Sequence, residues 1–242
     1  MNTETRKEEV HAGERKAPKR QQVIRYLIYL AGMVILAIGI TLNTKTGLGV
    51  SPIISIAYCV SSILDWNFGN TTMGLYCVFV IVQLFLRGKG QRLPMLLQIP
   101  VALLVSQLLN VFDYLFRFQA DSFWLNLLIL IGAVLLTGLG VVMSVDMRLV
   151  PNPGDGIVQT IADRSGKSLG LTKNLFDIGC IVFSVTLGLI CRGKLIGIGI
   201  GTLVAMLGVG RAVALFNLLL WRPMTKAAGL KPEHIVKEKE EE

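Results

Sequence analysis

Four of the charged residues within or beside the long apolar segments of this chain are candidates for chemistry: Asp155, Lys173, Asp177 and Arg211. An ionised side chain costs several kcal/mol in hydrocarbon, so such residues usually face a partner or a water-filled cavity. Asp177 is the only acidic residue well inside a predicted full-length apolar helix, and Arg211 is the only basic one. By helical rise they lie about 9 Å and about 15 Å from the ends of those helices. These residues are therefore the first candidates for binding or proton transfer.

Two partners are open to Asp177. Lys173 precedes it by one helical turn on the same face, and Arg211 could reach it from a neighbouring helix. A structural ion pair and a substrate or proton site remain equally compatible with this pattern. Asp155 falls in the first turn of a short predicted helix, where a carboxylate suits the positive helix end. Its role as a helix start and its role as a ligand or proton carrier both stay open.

Several kinds of chemistry find no support in the residues between the tails. All nine glutamates and both histidines, His11 and His234, lie in the tails. The chain has no Ser/His set, no paired aspartate and no HExxH, so we predict no catalytic residues, no metal site and no cofactor. The run "GIGIGT" ending at Thr202 lacks the strand and lysine of a phosphate loop, and it predicts close helix packing.

The elements that position these residues are apolar helices. Of the 242 residues, 52 % are hydrophobic and 17 % are charged. Six segments are long enough to cross about 30 Å of hydrocarbon. The sequence therefore predicts an all-α polytopic membrane helix bundle. The six predicted spans run near Val23–Asn43, Thr72–Leu86, Pro94–Phe116, Ser122–Ser144, Leu171–Cys191 and Ile196–Trp221.

Two further helices are too short to cross a membrane. They follow the first and fourth spans, near residues 51–63 and 153–163, and begin with Ser51-Pro52 and Asn152-Pro153. Ser or Asn before a proline is typical of a helix start. Thirteen residues extend only about 20 Å. Short proline-led segments at matching positions of two halves indicate the binding site of a transporter, so we predict re-entrant helices. Short interfacial helices that merely pack are the alternative.

An internal repeat is the second organising pattern. At a shift of about 101, Gly39 meets Gly140, Pro52 meets Pro153 and Thr71 meets Thr172. We predict a basic tail over 1–22, repeats over 23–120 and 121–221, and a charged tail over 222–242. If the short helices do not cross, the chain has six spans and the halves are inverted; if they cross, eight spans run in parallel halves. The excess of basic residues in one set of loops favours six spans with both termini in the cytoplasm.

The last candidate position is Gln98, which with Pro100 makes the third span polar and bent. It can be part of a binding site or can serve packing between helices. The predicted substrate-binding residues all lie at helix starts or inside apolar helices: Ser51, Pro52, Gln98, Asn152, Asp155, Lys173, Asp177, Thr202 and Arg211.

The sequence resembles the YczE/YyaS/YitT-type bacterial membrane proteins, a family of largely unassigned function. The resemblance lies in "GLGVSPIISIAYCVSS", "LLQIP", "GDGIVQTIADRSGKSLGLTKNLFDIG" and "GIGIGTLVAMLGVGR". In the second half Asp155, Lys173 and Asp177 stand at the family's spacing. Some relatives carry an acidic residue where this chain has Ile53 and Ile54, so a two-carboxylate mechanism does not carry over. The resemblance implies a multi-pass protein of the bacterial inner membrane and names no substrate.

Three functions compete on this basis. The first is a small secondary transporter or exporter of an unidentified small molecule. The second is a non-transporting membrane helper or scaffold for a partner protein. The third is the substrate-binding membrane subunit of a larger importer. We expect contact with membrane lipids, no nucleic acid and no enzymatic activity, and leave open a homo-oligomer or another membrane partner.

Overall fold

A computed structural model of the chain describes residues 18–87, 95–118 and 121–230, and these residues form an all-helical bundle without strands. Six of its eight helices are long and apolar enough to span a membrane, which confirms the six long apolar helices that the sequence predicts. The predicted tails lie largely outside the described residues. Lys89 and Arg92, two of the basic loop residues on which the predicted orientation depends, also lie outside them. The helices are α1 Lys19–Lys45, α2 Pro52–Leu64, α3 Phe68–Leu86, α4 Gln98–Leu115, α5 Phe123–Val145, α6 Pro153–Ser165, α7 Leu169–Arg192 and α8 Ile200–Ala227.

The antiparallel pair α1 and α5 forms the most extensive helix contact. Glycines set its closeness, because a Cβ on Gly140 would lie 2.5 Å from the backbone nitrogen of Leu36. A Cβ on Gly39 would likewise lie 2.6 Å from the backbone nitrogen of Thr137. Both distances are far below ordinary carbon contact. Small residues let helix backbones approach in a membrane, where lipid tails remove the usual hydrophobic drive for association.

The two short helices each lie alongside a span from the other half of the chain. Helix α6 runs parallel to α3, from Asn152 beside Tyr76 to Asp163 beside Arg87. Helix α2 runs parallel to α7, from Ser55 beside Ser184 towards Arg192, which donates a hydrogen bond to the carbonyl of Ile63. Each short helix therefore begins beside the interior of a span and ends where that span ends.

We name the two ends of the bundle after their ion pairs. At the Arg87 face, Arg87 binds Asp163 at 2.6 Å. At the Lys45 face, Lys45 binds Asp113 at 2.6 Å. Helix α1 begins at the Arg87 face, where Arg25 donates to the carbonyl of Met147 at the end of α5.

Asp146 caps the end of α5 at the Arg87 face. Burial raises the pKa of its carboxyl group to about 6, and Arg148 offsets this in part. The folded-state pKa therefore lies above the ordinary value of 3.8. Native protein then binds more protons than unfolded protein between roughly pH 4 and 6, so stability falls as the pH rises through that window.

Helix α8 packs chiefly on α5, with lesser contacts to α1 and α2. Its start is tied to the first half, because the amide of Gly201 donates to the carbonyl of Leu48 at 2.7 Å. A Cβ on Gly201 would lie 2.9 Å from the carbonyl oxygens of Leu48 and Gly49. The "GIGIGT" run thus packs closely, as predicted, but against the backbone of the segment between α1 and α2 rather than against another helix.

Candidate functional site

The first turns of the two short helices meet inside the bundle, at a place we call the junction: Ile53, Gly154 and Tyr76. A Cβ on Gly154 of α6 would lie 3.5 Å from Cγ2 of Ile53 on α2 and 3.7 Å from the Tyr76 ring on α3. Both helices start with the predicted proline, Pro52 and Pro153, and both prolines are buried. Two helix N-termini, each carrying a partial positive charge, therefore converge on one buried place.

Three charged residues lie together beside the junction. Lys173 Nζ lies 3.2 Å from Oδ2 and 3.3 Å from Oδ1 of Asp177, four residues later on α7. The Asp177 side chain is 1 % exposed and that of Lys173 is 32 % exposed. Asp155, in the first turn of α6, has Lys173 and Asp177 as its charged neighbours. The first turn of α6 thus lies within electrostatic range of one ammonium and one carboxylate of α7.

Uncharged polar side chains complete the junction. Asn152 Nδ2 contacts the Tyr76 hydroxyl at 3.4 Å, and its Oδ1 is buried without a hydrogen-bond partner among the described residues. The hydroxyl of Thr172, next to Lys173, is also buried and unpartnered in the described part of the chain. On the other short helix, the amide of Ser51 donates to Oδ1 of Asn43 at 2.8 Å. Unpartnered buried groups such as Asn152 Oδ1 and Thr172 Oγ1 are expected where a ligand or water binds.

A buried amide cluster lies one turn further along α6, towards the Arg87 face. Gln83 and Gln98 donate to one another at 3.0 Å in both directions, and Thr160 donates to Gln83 at 3.4 Å. The cluster borders a cavity of about 390 Å³ that adjoins the Arg87 face. Its lining comes from α3, α4, α6 and the segment before α6: Gln83, Arg87, Met95, Leu97, Gln98, Leu149, Val150, Pro151, Gly156, Gln159 and Thr160.

A second cavity of about 380 Å³ adjoins the Lys45 face. Helix α4 relates the two cavities, because Gln98 at its start lines one and Asp113 near its end lines the other. Fifteen residues of helix separate these positions, about 22 Å. The second cavity is lined by residues at the ends of α1 and α4, from α2 and from α5: Thr44, Lys45, Thr46, Gly47, Tyr58, Asp113 and Asn126.

Three of the predicted site residues lie away from the junction. Gln98 belongs to the buried amide cluster with Gln83. Thr202 Oγ1 accepts from the amide of Gly199 at 3.2 Å and so holds the start of α8 in place. Arg211 is exposed on α8 and makes no ion pair or hydrogen bond with any described residue. Of the two partners considered for Asp177, the one in contact is Lys173.

Sequence reasoning missed two polar residues. Tyr76 and Gln83 are buried in α3 and lie against α6. Gln83 had a detectable signal, because a glutamine inside an apolar span is costly unless its amide is paired. Tyr76 had a weaker signal: when the two halves are aligned at the shift of 101, it occupies the position that corresponds to Asp177.

Among residues 18–87, 95–118 and 121–230, no three His, Cys, Asp or Glu side chains lie close enough together to hold a metal ion. The polar groups at the junction are instead those that bind small polar or charged molecules by hydrogen bonding.

Comparison with known proteins gives a family without a substrate. The chain is 25 % identical over 205 residues to the uncharacterized protein YyaS of Bacillus subtilis (strain 168), covering 82 % of this chain and 95 % of YyaS. No solved structure matches it. The family model DUF6198, described as a family of unknown function, matches residues 23–218. The resemblance noted in the sequence is thereby confirmed: this multi-pass membrane protein belongs to the DUF6198 family and is related to YyaS.

Proposed function

We propose that this protein is a small secondary transporter whose substrate binds at the junction of α2 and α6. The observation that carries the proposal is the meeting of two short helix starts beside Asp155, Lys173 and Asp177. In secondary transporters, helix ends inside the bilayer supply partial charges to substrates and coupling ions near the midplane. Charged groups at such depth are usually functional because their burial is costly.

An inverted repeat is the architecture that we infer for this transporter. Helices α2 and α6 begin 101 residues apart, at Pro52 and Pro153, and α3 and α7 do so as well, at Phe68 and Leu169. The first helix of each half, α1 and α5, pack antiparallel to one another. Each half also lends its short helix to the other, with α2 on α7 and α6 on α3. Halves of opposite orientation account for all three relations.

We infer that α2 and α6 are re-entrant. Each follows a span that ends at one face of the bundle. Each short helix starts beside the middle of another span and ends at the same face as the span that precedes it. Irregular backbone at membrane depth is tolerated where protein buries it or where it lines a watery cavity. Val50 before α2 and Asn152 before α6 are buried, and the preceding residues Leu149, Val150 and Pro151 line the cavity at the Arg87 face. The cavities on either side of the junction then correspond to the two approaches that alternating access requires.

The orientation in the membrane follows from the basic residues. Arg25, Arg87, Arg148, Arg164 and Lys167 lie at the Arg87 face. Basic residues at the opposite face are fewer: Lys45, Arg117, Arg192 and Lys194. We propose that the Arg87 face and both termini are cytoplasmic in the bacterial inner membrane. Reporter fusions after Ser62, Gly88, Gln119 and Gly166 test this, with the first and third outside and the other two inside.

A flux assay tests the function. The purified full chain in liposomes is offered a panel of labelled organic anions, amino acids and lipophilic cations, with and without a pH gradient. We expect saturable uptake of at least one class, abolished by Asp155→Asn and by Asp177→Asn. The matched control is Asp163→Asn, which removes an exposed carboxylate of α6 that pairs with Arg87 at the surface and should keep its flux. Absence of saturable flux across the panel, or full flux in both junction variants, contradicts the proposal.

A further inference from the structure

Helix α8 carries a charged residue on the face that is turned away from the bundle. Arg211 is exposed, whereas Ala212, beside it in the sequence, is buried against Gly138 of α5. About 11 % of the most apolar stretch of α8 is buried, against 22 % to 39 % for the other spans. The outer face of α8 is otherwise apolar, with Leu203, Leu207 and Leu218 each more than half exposed.

Arg211 lies too deep for lipid headgroups to neutralise it. Ten residues separate it from Trp221 towards one face and eleven separate it from Ile200 towards the other. At 1.5 Å per residue both distances are about 15 Å or more, so the Cα sits near the middle of a hydrocarbon core about 30 Å thick. An arginine side chain is much shorter than that distance. Its charge needs a partner inside the bilayer.

The described residues of this chain do not supply that partner. Within its spans the acidic residues are Asp113 and Asp177. Asp177 is buried and bound to Lys173, and Asp113 lies near the end of α4, bound to Lys45. Asp155, on the short helix α6, lies at the junction inside the bundle with Lys173 as its cationic neighbour. A second copy would therefore bring no carboxylate to Arg211 at this depth.

We propose that the outer face of α8 docks a transmembrane helix of a different protein chain, which carries a carboxylate at mid-membrane depth opposite Arg211. The face has room for close approach, because a Cβ on Gly210 would meet nothing within 4 Å and Ala214, one turn later, is also exposed. Two small residues four apart are the usual setting for tight helix contact in membranes. A carboxylate held there forms a charge-assisted hydrogen bond with the guanidinium in a low dielectric. This inference does not depend on transport.

The test uses a defined probe helix. The full chain, labelled with a fluorescence donor, is reconstituted in phosphatidylcholine vesicles with a dilute acceptor-labelled polyleucine transmembrane peptide that carries one central Glu. The comparison peptide carries Gln instead. We expect energy transfer to report about tenfold tighter association for the Glu peptide. Arg211→Leu should abolish this preference and Gly210→Leu should block association by occupying the open space. The control Arg222→Leu removes an exposed arginine near the end of the same helix and should leave the preference unchanged.

Thermal unfolding separates docking from a structural role within the chain. Without a partner, Arg211→Leu should be at least as stable as the unaltered protein, because a charge leaves the lipid-facing surface. A clear loss of stability would mean that Arg211 holds this chain together and would overturn the proposal. Equal binding of the Glu and Gln peptides would do so as well. Association of two copies through α8 in place of the peptide would also overturn it. In parallel vesicles that contain phosphatidylglycerol, Arg211-dependent enrichment of that lipid without peptide binding would do the same.

Discussion

Removing the ammonium group beside Asp177 is the sharpest perturbation of the junction. In Lys173→Met the side chain loses only its terminal ammonium group, so the two contacts of 3.2 Å and 3.3 Å to the carboxylate disappear. Asp177 is 1 % exposed, so water cannot replace them. The variant therefore leaves an uncompensated carboxylate inside the bundle, and the folded state must either bury the charge or take up a proton.

The size of the effect can be bounded in two ways. Removing one partner of a buried ion pair typically costs about 3–5 kcal/mol. Neutralising an ordinary aspartate at pH 7 costs about 4 kcal/mol, at roughly 1.4 kcal/mol per pH unit. Because Lys173 is 32 % exposed and its contribution is partly screened, we expect the lower part of this range, about 3 kcal/mol. If protonation is the route taken, the loss should shrink by about 1.4 kcal/mol for each pH unit below 7.

Unfolding of the full chain in mixed micelles, followed by circular dichroism at pH 7 and pH 5.5, measures the loss. The matched control is Lys45→Met, which breaks a pair whose members are 20 % and 40 % exposed and should cost less than about 1 kcal/mol. The double variant Lys173→Met, Asp177→Leu should recover most of the stability, because an apolar pair replaces the unpaired charge. If Lys173→Met costs no more than Lys45→Met, or the double variant is no better than the single one, the reasoning about the buried pair is refuted.

Three further predictions concern other parts of the bundle. Gly140→Ala should lower the free energy of unfolding by about 1–3 kcal/mol in the same assay, because its Cβ would meet the α1 backbone. The control is Gly132→Ala on the same helix, whose Cβ would meet nothing within 4 Å and which should be nearly neutral. Asp146→Asn should be more stable than the unaltered protein above pH 6, by on the order of 1–2 kcal/mol after screening. The variant should also lose the decline in thermal stability between pH 4 and 6. If the decline persists in the variant, another titratable group causes the decline. Gln98→Leu should destabilise by about 1–3 kcal/mol because it strands the buried amide of Gln83, and Gln98→Leu with Gln83→Leu should cost less than the single change.

The local signals in the sequence were reliable for helix starts. Pro52 and Pro153 each begin a short helix as predicted, because proline fixes a helical φ and removes an amide that would otherwise lack an acceptor. The helix ends extend one or two residues beyond the prediction, to Leu64 and Ser165. In neither helix does the N-cap side chain form a cap hydrogen bond, and Asn152 turns to Tyr76 instead.

The face that each span turns inward could not be predicted in the same way. Helix α8 is apolar nearly all round, so its sequence has no polar stripe to mark a lipid-facing side. Its inner face is set by close contacts such as that of Ala212 with Gly138, which depend on the whole bundle. For this reason the depth of Arg211 followed from counting residues, but its outward direction did not.

The proposed repeat shows that the charged residues at the junction come from the second half of the chain only. At the shift of 101, Asp177 corresponds to Tyr76 and Asp155 corresponds to Ile54, so each carboxylate of the second half has an uncharged counterpart in the first. Tyr76 and Ile54 are buried, as is Asp177, whereas Asp155 is half-buried, so the corresponding positions differ chiefly in chemistry. Exchanging the conformations of the two halves, as alternating access requires, would therefore move the same α6 and α7 charges between unlike surroundings. Under the proposed function, the charged groups of the junction lie in α6 and α7, while α2 and α3 supply uncharged surroundings that include the Tyr76 hydroxyl.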